Sequence, residues 1–186
     1  MELELSSDNI AALTRRIDRP IVLVGMMGVG KTSVGRRLAS LLHLPFSDAD
    51  AEIVHAAQMS IPEMFEQFGE AYFRDGERRV ITRLVESRRG VIATGGGAFV
   101  NPETRALILA KGIAVWLDSD VEVLLERVKR NANRPLLQTG DPREVLTRLK
   151  AERQSAYAEA PIHVTSGYGP HTRAISDILK GLDEWL

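Results

Sequence analysis

The chain alternates between two kinds of hydrophobic pattern. Ile21 to Val24, IVLV, is an unbroken aliphatic run that ends at Gly25. A run without polar alternation predicts a strand covered on both faces, as in the interior of a parallel sheet. From Lys31 to Leu42 the pattern changes: Val34, Leu38 and Leu41 recur at helical spacing, so a glycine loop joins the first strand to a helix. Leu44 to Phe46 predicts a short second strand that ends at the acidic stretch SDAD. Ser60 with Glu63 forms a capping box for a helix through Phe68, and Phe73, Val80, Ile81, Leu84 and Val85 give a second helix from about Ala71 to Ser87. VIAT, Val91 to Thr94, predicts the third strand, followed directly by the triple glycine Gly95 to Gly97.

The second half repeats this rhythm. Asn101-Pro102 opens a helix, because asparagine caps and proline suits the first turn. IAVWLD, Ile113 to Asp118, is the fourth strand, and Ser119 with Glu122 predicts a capping box for a helix running to about Arg130. NANRPLLQTGDPR interrupts that helix with Pro135, Gly140 and Pro142 and is long enough for a functional loop, read as a lid over about 131–142. A helix from about Arg143 to Tyr157, a strand at Ile162 to Thr165 and a closing helix from Thr172 to Trp185 complete the chain. Strands alternating with helices imply an α/β fold with a mostly parallel sheet covered on both faces. Residues 1–18, with Ile10, Leu13 and Ile17 at helical spacing, are expected to form a peripheral helical extension.

Composition narrows the field. The 186 residues suit one domain spanning 1–186, and 44% hydrophobic with 26% charged residues excludes a disordered chain. The net charge of −1 argues against general attraction to nucleic acid or anionic membrane, so the paired arginines at 36–37, 78–79 and 88–89 are read as solvated helix faces. Without cysteine there is no disulfide, thiolate metal site or thiol nucleophile. No apolar run approaches the roughly 20 residues of a membrane-spanning helix. The acidic start lacks a signal-peptide core, and a cytoplasmic location is expected. His43, His55, His163 and His171 show no metal-ligand spacing and are read as structural or surface residues, while Trp116 and Trp185 are read as core.

The chemistry begins at GMMGVGKT, Gly25 to Thr32, which matches G-x-x-x-x-G-K-[ST] between a predicted strand and a predicted helix. The glycines let backbone N–H groups surround phosphate, and the helix N-terminus adds a favourable dipole. The candidate cradle is Gly28, Val29, Gly30, Lys31, Thr32 and Ser33, with Lys31 bridging the outer phosphates and Thr32 offering a hydroxyl to Mg2+. A tight turn alone would explain the glycines but not the adjacent Lys-Thr. The absence of an Asn-Lys-x-Asp guanine-reading motif favours ATP over GTP. Ligands of open parallel sheets sit beyond the carboxyl ends of the strands, where Asp48, Asp50 and Gly95 to Gly97 would also lie. Arg74 has Glu77 three residues on, either as a fixed ligand clamp or as a surface ion pair. Arg134 in the lid could close over phosphates, or could be a solvated loop residue. Arg153, read from composition alone, is a solvent-facing helix charge.

Taken in order, GMMGVGKT, SDAD, FRDGE, TGGGA, NRPLL and ERQSAY resemble the shikimate kinase family from about Pro20 to the C-terminus. The resemblance implies a three-layer sandwich whose five-stranded parallel sheet is flanked by helices, a P-loop kinase fold with a lid. It implies transfer of the γ-phosphoryl group of ATP to the 3-hydroxyl of shikimate, with Mg2+, by a monomer. Carried over by motif, Asp50 binds the shikimate hydroxyls and takes the attacking proton, Asp48 and Thr32 serve the magnesium, and Arg74 and Arg153 clamp the carboxylate. Gly95, Gly96 and Gly97 contact the ring hydroxyls, and Lys31 and Arg134 stabilise phosphate charge. The chain departs from the family near the adenine end, which reads VTSGYGPHT where some members carry arginine or asparagine. Other small P-loop kinases, acting on gluconate or a nucleoside monophosphate, share the phosphate loop and lid. A nucleotide-binding regulatory module would share the loop without needing the Arg74 and Arg153 pair.

Overall fold

In the computed structural model, residues 6–87, 89–130 and 139–186 are described. Five strands, β1 (Ile21–Val24), β2 (Phe46–Asp48), β3 (Val91–Ala93), β4 (Ile113–Asp118) and β5 (Ile162–Thr165), form one sheet in the order β2-β3-β1-β4-β5, and every pairing is parallel. The α-helices are α1 (Ser7–Arg16), α2 (Lys31–Leu41), α3 (Ala49–Ala57), α4 (Ile61–Ser87), α5 (Pro102–Lys111), α6 (Val121–Lys129), α7 (Pro142–Tyr157) and α8 (Thr172–Trp185). Among the described residues a single 3-10 turn, Ala98–Val100, follows the triple glycine. The expected α/β class with a helix-flanked, five-stranded parallel sheet is what the chain adopts.

Hydrophobic pattern explains the arrangement. All four residues of β1 and the first five of β4 are buried, as central parallel strands require. β5, at the edge, alternates buried Ile162 and Val164 with exposed His163 and Thr165. The register puts Asp48, Ala93, Leu23 and Val115 in one row across four strands. The acidic stretch, the triple glycine and the phosphate loop therefore all leave the sheet at the same edge within a few residues of that row. Thr94 reinforces this, its buried Oγ1 donating to Leu23 O at 2.8 Å just where β3 ends.

Several details differ from expectation. β2 runs from Phe46 to Asp48, later than the apolar Leu44–Phe46, because pairing to β3 rather than hydrophobicity sets this short edge strand. The capping box at Ser60 and Glu63 forms, but the one expected at Ser119 does not: Asp120 occupies the cap, and the buried Ser119 hydroxyl donates instead to Ser166 O. The two helices expected between 60 and 87 run together as α4 with a break at Gly69, whose φ of 83° is left-handed. Around this break Ile53, Met64, Phe73 and Val80 make a small second core between α3 and α4. Trp116 is buried as expected, but Trp185 is 41% exposed at the end of α8.

The amino-terminal helix is not a peripheral appendage. Ile10, Leu13 and Ile17 are buried in the main core, and Arg16 bridges to Asp183 of α8 at 2.5 Å. Leu13→Ala is expected to destabilise the fold by about 2–4 kcal/mol, the usual cost of emptying a filled leucine site. Urea denaturation of the two proteins measures it directly.

Candidate active site

The phosphate loop starts where β1 runs out of room for side chains. At Gly25, with φ at 139°, a Cβ would stand 2.2 Å from the backbone carbonyl of Leu117 on β4. The loop turns into α2 at Gly30, which occupies the cap without any side-chain hydrogen bond, leaving the first N–H groups of the helix for a ligand. Lys31 is buried, and its ammonium donates to Gly25 O at 2.6 Å and Met26 O at 2.8 Å, which holds the charge inside the loop. Thr32 Oγ1 donates to Asp48 Oδ2 at 2.7 Å, while Asp48 Oδ1 caps α3 by accepting from Ala51 N. A hydroxyl and a carboxylate so placed suit Mg2+, which takes one or two protein oxygens and completes its shell with water and phosphate. The cleft of about 350 Å³ at this edge is lined by Gly28, Gly30, Lys31, Thr32, Ser33 and Asp48, and continues to Asp50, Gly95 and Gly96.

The far side of the cleft is built around the triple glycine, and each glycine yields its side-chain space to a charged group. A Cβ on Gly95 would lie 2.7 Å from Glu77 Oε1 and 3.0 Å from Asp50 Oδ1. On Gly96 it would lie 3.3 Å from Arg153 Nη1 and 3.2 Å from Met27 N of the phosphate loop. On Gly97 it would fall 2.5 Å from the Arg74 guanidinium. Two acids from α3 and α4 and two arginines from α4 and α7 thus converge on three residues of backbone.

Electrostatics hold the group in place. Arg74 Nη1 donates to Glu77 Oε2 at 2.8 Å, and Glu70 lies 3.3 Å from the same guanidinium. Glu77 is only 2% exposed, and this burial raises its pKa against the opposing pull of Arg74. Burial acts against the charge on Arg74 too, but Glu77 and Glu70 outweigh it and raise its pKa. Glu77 Oε1 and Arg153 Nη1 are buried atoms without a hydrogen-bond partner among the described residues. Buried polar atoms left in this way mark a place where a polar ligand completes the pairing.

Most of the sequence candidates therefore meet. Gly28, Val29, Gly30, Lys31, Thr32, Ser33 and Asp48 gather at the phosphate end, and Asp50, Arg74, Gly95, Gly96, Gly97 and Arg153 gather at the other. Arg153 is 8% exposed, so the solvent-facing reading from composition is corrected: the apolar stripe of α7 and this arginine share a buried face. Arg134 and most of the lid segment lie outside the described residues.

Three further residues belong to the site although the sequence gave none of them a role in the chemistry. Tyr157, one turn beyond Arg153, donates its buried hydroxyl to Gly96 O. Arg127 of α6 donates to Val29 O at 2.8 Å and to Gly167 O at 2.6 Å, tying the phosphate loop to the segment between β5 and α8. His171, read from the sequence as structural or surface, lines the cleft with its Cε1 2.9 Å from the space above Gly30. Burial, then the charges of Arg127 and Arg37, hold its pKa below the usual histidine value. Helical charges and a tyrosine in a helix are ordinary in sequence, and the packing of α6 and α7 against the cleft is what distinguishes them.

Comparison with known proteins agrees with this geometry. The family model described as shikimate kinase matches residues 27–183. A shikimate kinase of Novosphingobium aromaticivorans is 65% identical, over 98% of this chain and 96% of its own. One from Caulobacter vibrioides is 57% identical, over 95% of this chain and 86% of its own. The solved structure of an Acinetobacter baumannii shikimate kinase in complex with shikimate superposes with a TM-score of 0.80 at 36% identity, covering 97% of this chain and 96% of that one. With the phosphate loop, the acidic stretch and the arginine-lined triple glycine in one cleft, the chain belongs to the shikimate kinase family.

Proposed function

We propose a division of labour among these residues for the family's reaction, in which the γ-phosphoryl group of ATP passes to the 3-hydroxyl of shikimate, giving shikimate 3-phosphate and ADP. The observation that carries it is the convergence of Asp50, Arg74 and Arg153 on the triple glycine, one cleft's width from the phosphate loop. A polyhydroxy acid needs this combination: arginine forks for its carboxylate and a carboxylate with backbone groups for its hydroxyls.

Arg74, braced by Glu77, and Arg153 hold the carboxylate of shikimate. The backbone of Gly95, Gly96 and Gly97 approaches the ring hydroxyls, which is possible because these residues have no side chains in the way. Asp50 accepts the proton as the 3-hydroxyl oxygen bonds to the γ-phosphorus, and the bond from that phosphorus to the β,γ-bridging oxygen breaks as ADP leaves. Lys31 and the N–H groups of Gly28 to Ser33 hold the phosphates, with Arg134 of the lid as an additional cation. Thr32 and Asp48 would hold magnesium, whose charge would offset that of the phosphates. The enzyme is read as a monomer acting on a small molecule.

The test is ADP release with Mg-ATP and, separately, shikimate, gluconate, AMP or CMP. Turnover is expected with shikimate and near background with the others. Faster turnover with another acceptor, or ATP hydrolysis independent of any acceptor, would contradict the assignment. Asp50→Asn is expected to lose turnover by roughly 100-fold or more, the scale of general-base catalysis, while calorimetry shows ADP bound as in the parent. A near-parental rate in that variant would remove Asp50 from its proposed role.

A further inference from the structure

One buried hydroxyl behind the glycine turn belongs to no ligand-contacting residue named so far. Tyr157 is 1% exposed, its ring packed near Trp116 with centroids 5.9 Å apart, and its hydroxyl lies 3.9 Å from Met26 Sδ. That hydroxyl donates to Gly96 O. Arg153 stands one turn earlier on the same buried face of α7, its Nη1 3.3 Å from the space over Gly96. The phenol therefore holds the carbonyl of a peptide that lies against an arginine of the acceptor pocket, with a residue of the phosphate loop beside it.

The arrangement has no obvious purpose in stability. A phenylalanine would fill the same space, and a buried hydroxyl must find partners whether or not it has a role. What only the hydroxyl supplies is orientation. The Gly96 peptide could rotate about its flanking bonds, since glycine restricts them least. The long arginine side chain loses considerable rotamer freedom when held. Fixing the peptide that the guanidinium lies against before the acceptor arrives removes part of that ordering cost from binding.

We propose that Tyr157 is a positioning residue of the acceptor site, its hydroxyl fixing the Gly96 peptide, against which the Arg153 guanidinium lies, in the geometry that receives the acid substrate. It touches neither substrate and acts through Arg153 and Gly96. The proposal rests on the reading of Arg153 as a carboxylate ligand.

Tyr157→Phe keeps the ring and its packing and removes the hydroxyl alone. Its KM for shikimate is expected to rise roughly 3- to 10-fold, the effect of one lost buried hydrogen bond. The Kd for ADP and the unfolding midpoint should stay close to parental values. In an Arg153→Ala background the same change should add less than about twofold, because the group through which it acts has gone. An unchanged shikimate KM would overturn the proposal. So would a parallel loss of shikimate and ADP affinity with a lowered midpoint, which is the mark of a purely structural residue, or full additivity with Arg153→Ala. Arg153→Ala alone separates the two levels: if it leaves the shikimate KM unchanged, the carboxylate assignment fails first, whereas an impaired Arg153→Ala beside a silent Tyr157→Phe rejects Tyr157 only.

Discussion

Three successive residues after β3 must do without side chains, and the rest of the site follows from that. Gly97 shows the constraint in its simplest form: its φ of −95° and ψ of −9° are open to any residue, so backbone freedom does not explain the glycine. Space does. The Arg74 guanidinium occupies the position where a Cβ would be, as Glu77 and Asp50 do over Gly95. Because the turn has no side chains, four ionisable groups from three helices can press on one stretch of backbone.

Such a cluster is costly to bury unless its charges are paired. Arg74 and Glu77 pair with each other, so part of the cost is met within the protein. The buried Glu77 Oε1 and Arg153 Nη1 atoms left over face the same turn. The sheet carries the alignment: parallel strands in register deliver the phosphate loop, the acidic stretch and the glycine turn to one edge, so donor and acceptor sites are neighbours. Met27 N of the phosphate loop lies 3.2 Å from the space over Gly96, so the two halves share a wall.

Much of this could be read along the chain, and what could not has physical reasons. Buried parallel strands have a hydrophobic signature, and the phosphate loop has a spacing imposed by its ligand, so β1, β4 and Gly25 to Thr32 are visible in sequence. β2 was displaced because a three-residue edge strand ending in Ser47 and Asp48 is defined by its partner and carries no apolar period of its own. Ser119 followed by Glu122 has the form of a capping box, but the Ser119 hydroxyl is drawn into the buried contact with Ser166. Arg153, Tyr157 and Arg127 lie on helices where such residues are commonly solvated or packed. Only the tertiary placement of α6 and α7 turns them toward the cleft, and without the family resemblance Arg153 would have remained a surface charge.

The central claim is that the glycine turn is a steric requirement of the acceptor site. The most direct measurement is the calorimetric affinity of Gly97→Ala for shikimate, with ADP affinity measured on the same protein. The added methyl should displace Arg74 from its place beside Glu77, weakening shikimate binding by roughly 10-fold or more, in line with the loss of a charged hydrogen-bond partner, while ADP binds as before. Parental shikimate affinity in Gly97→Ala would contradict the account, because it would mean that the space over the turn is not what the arginine needs.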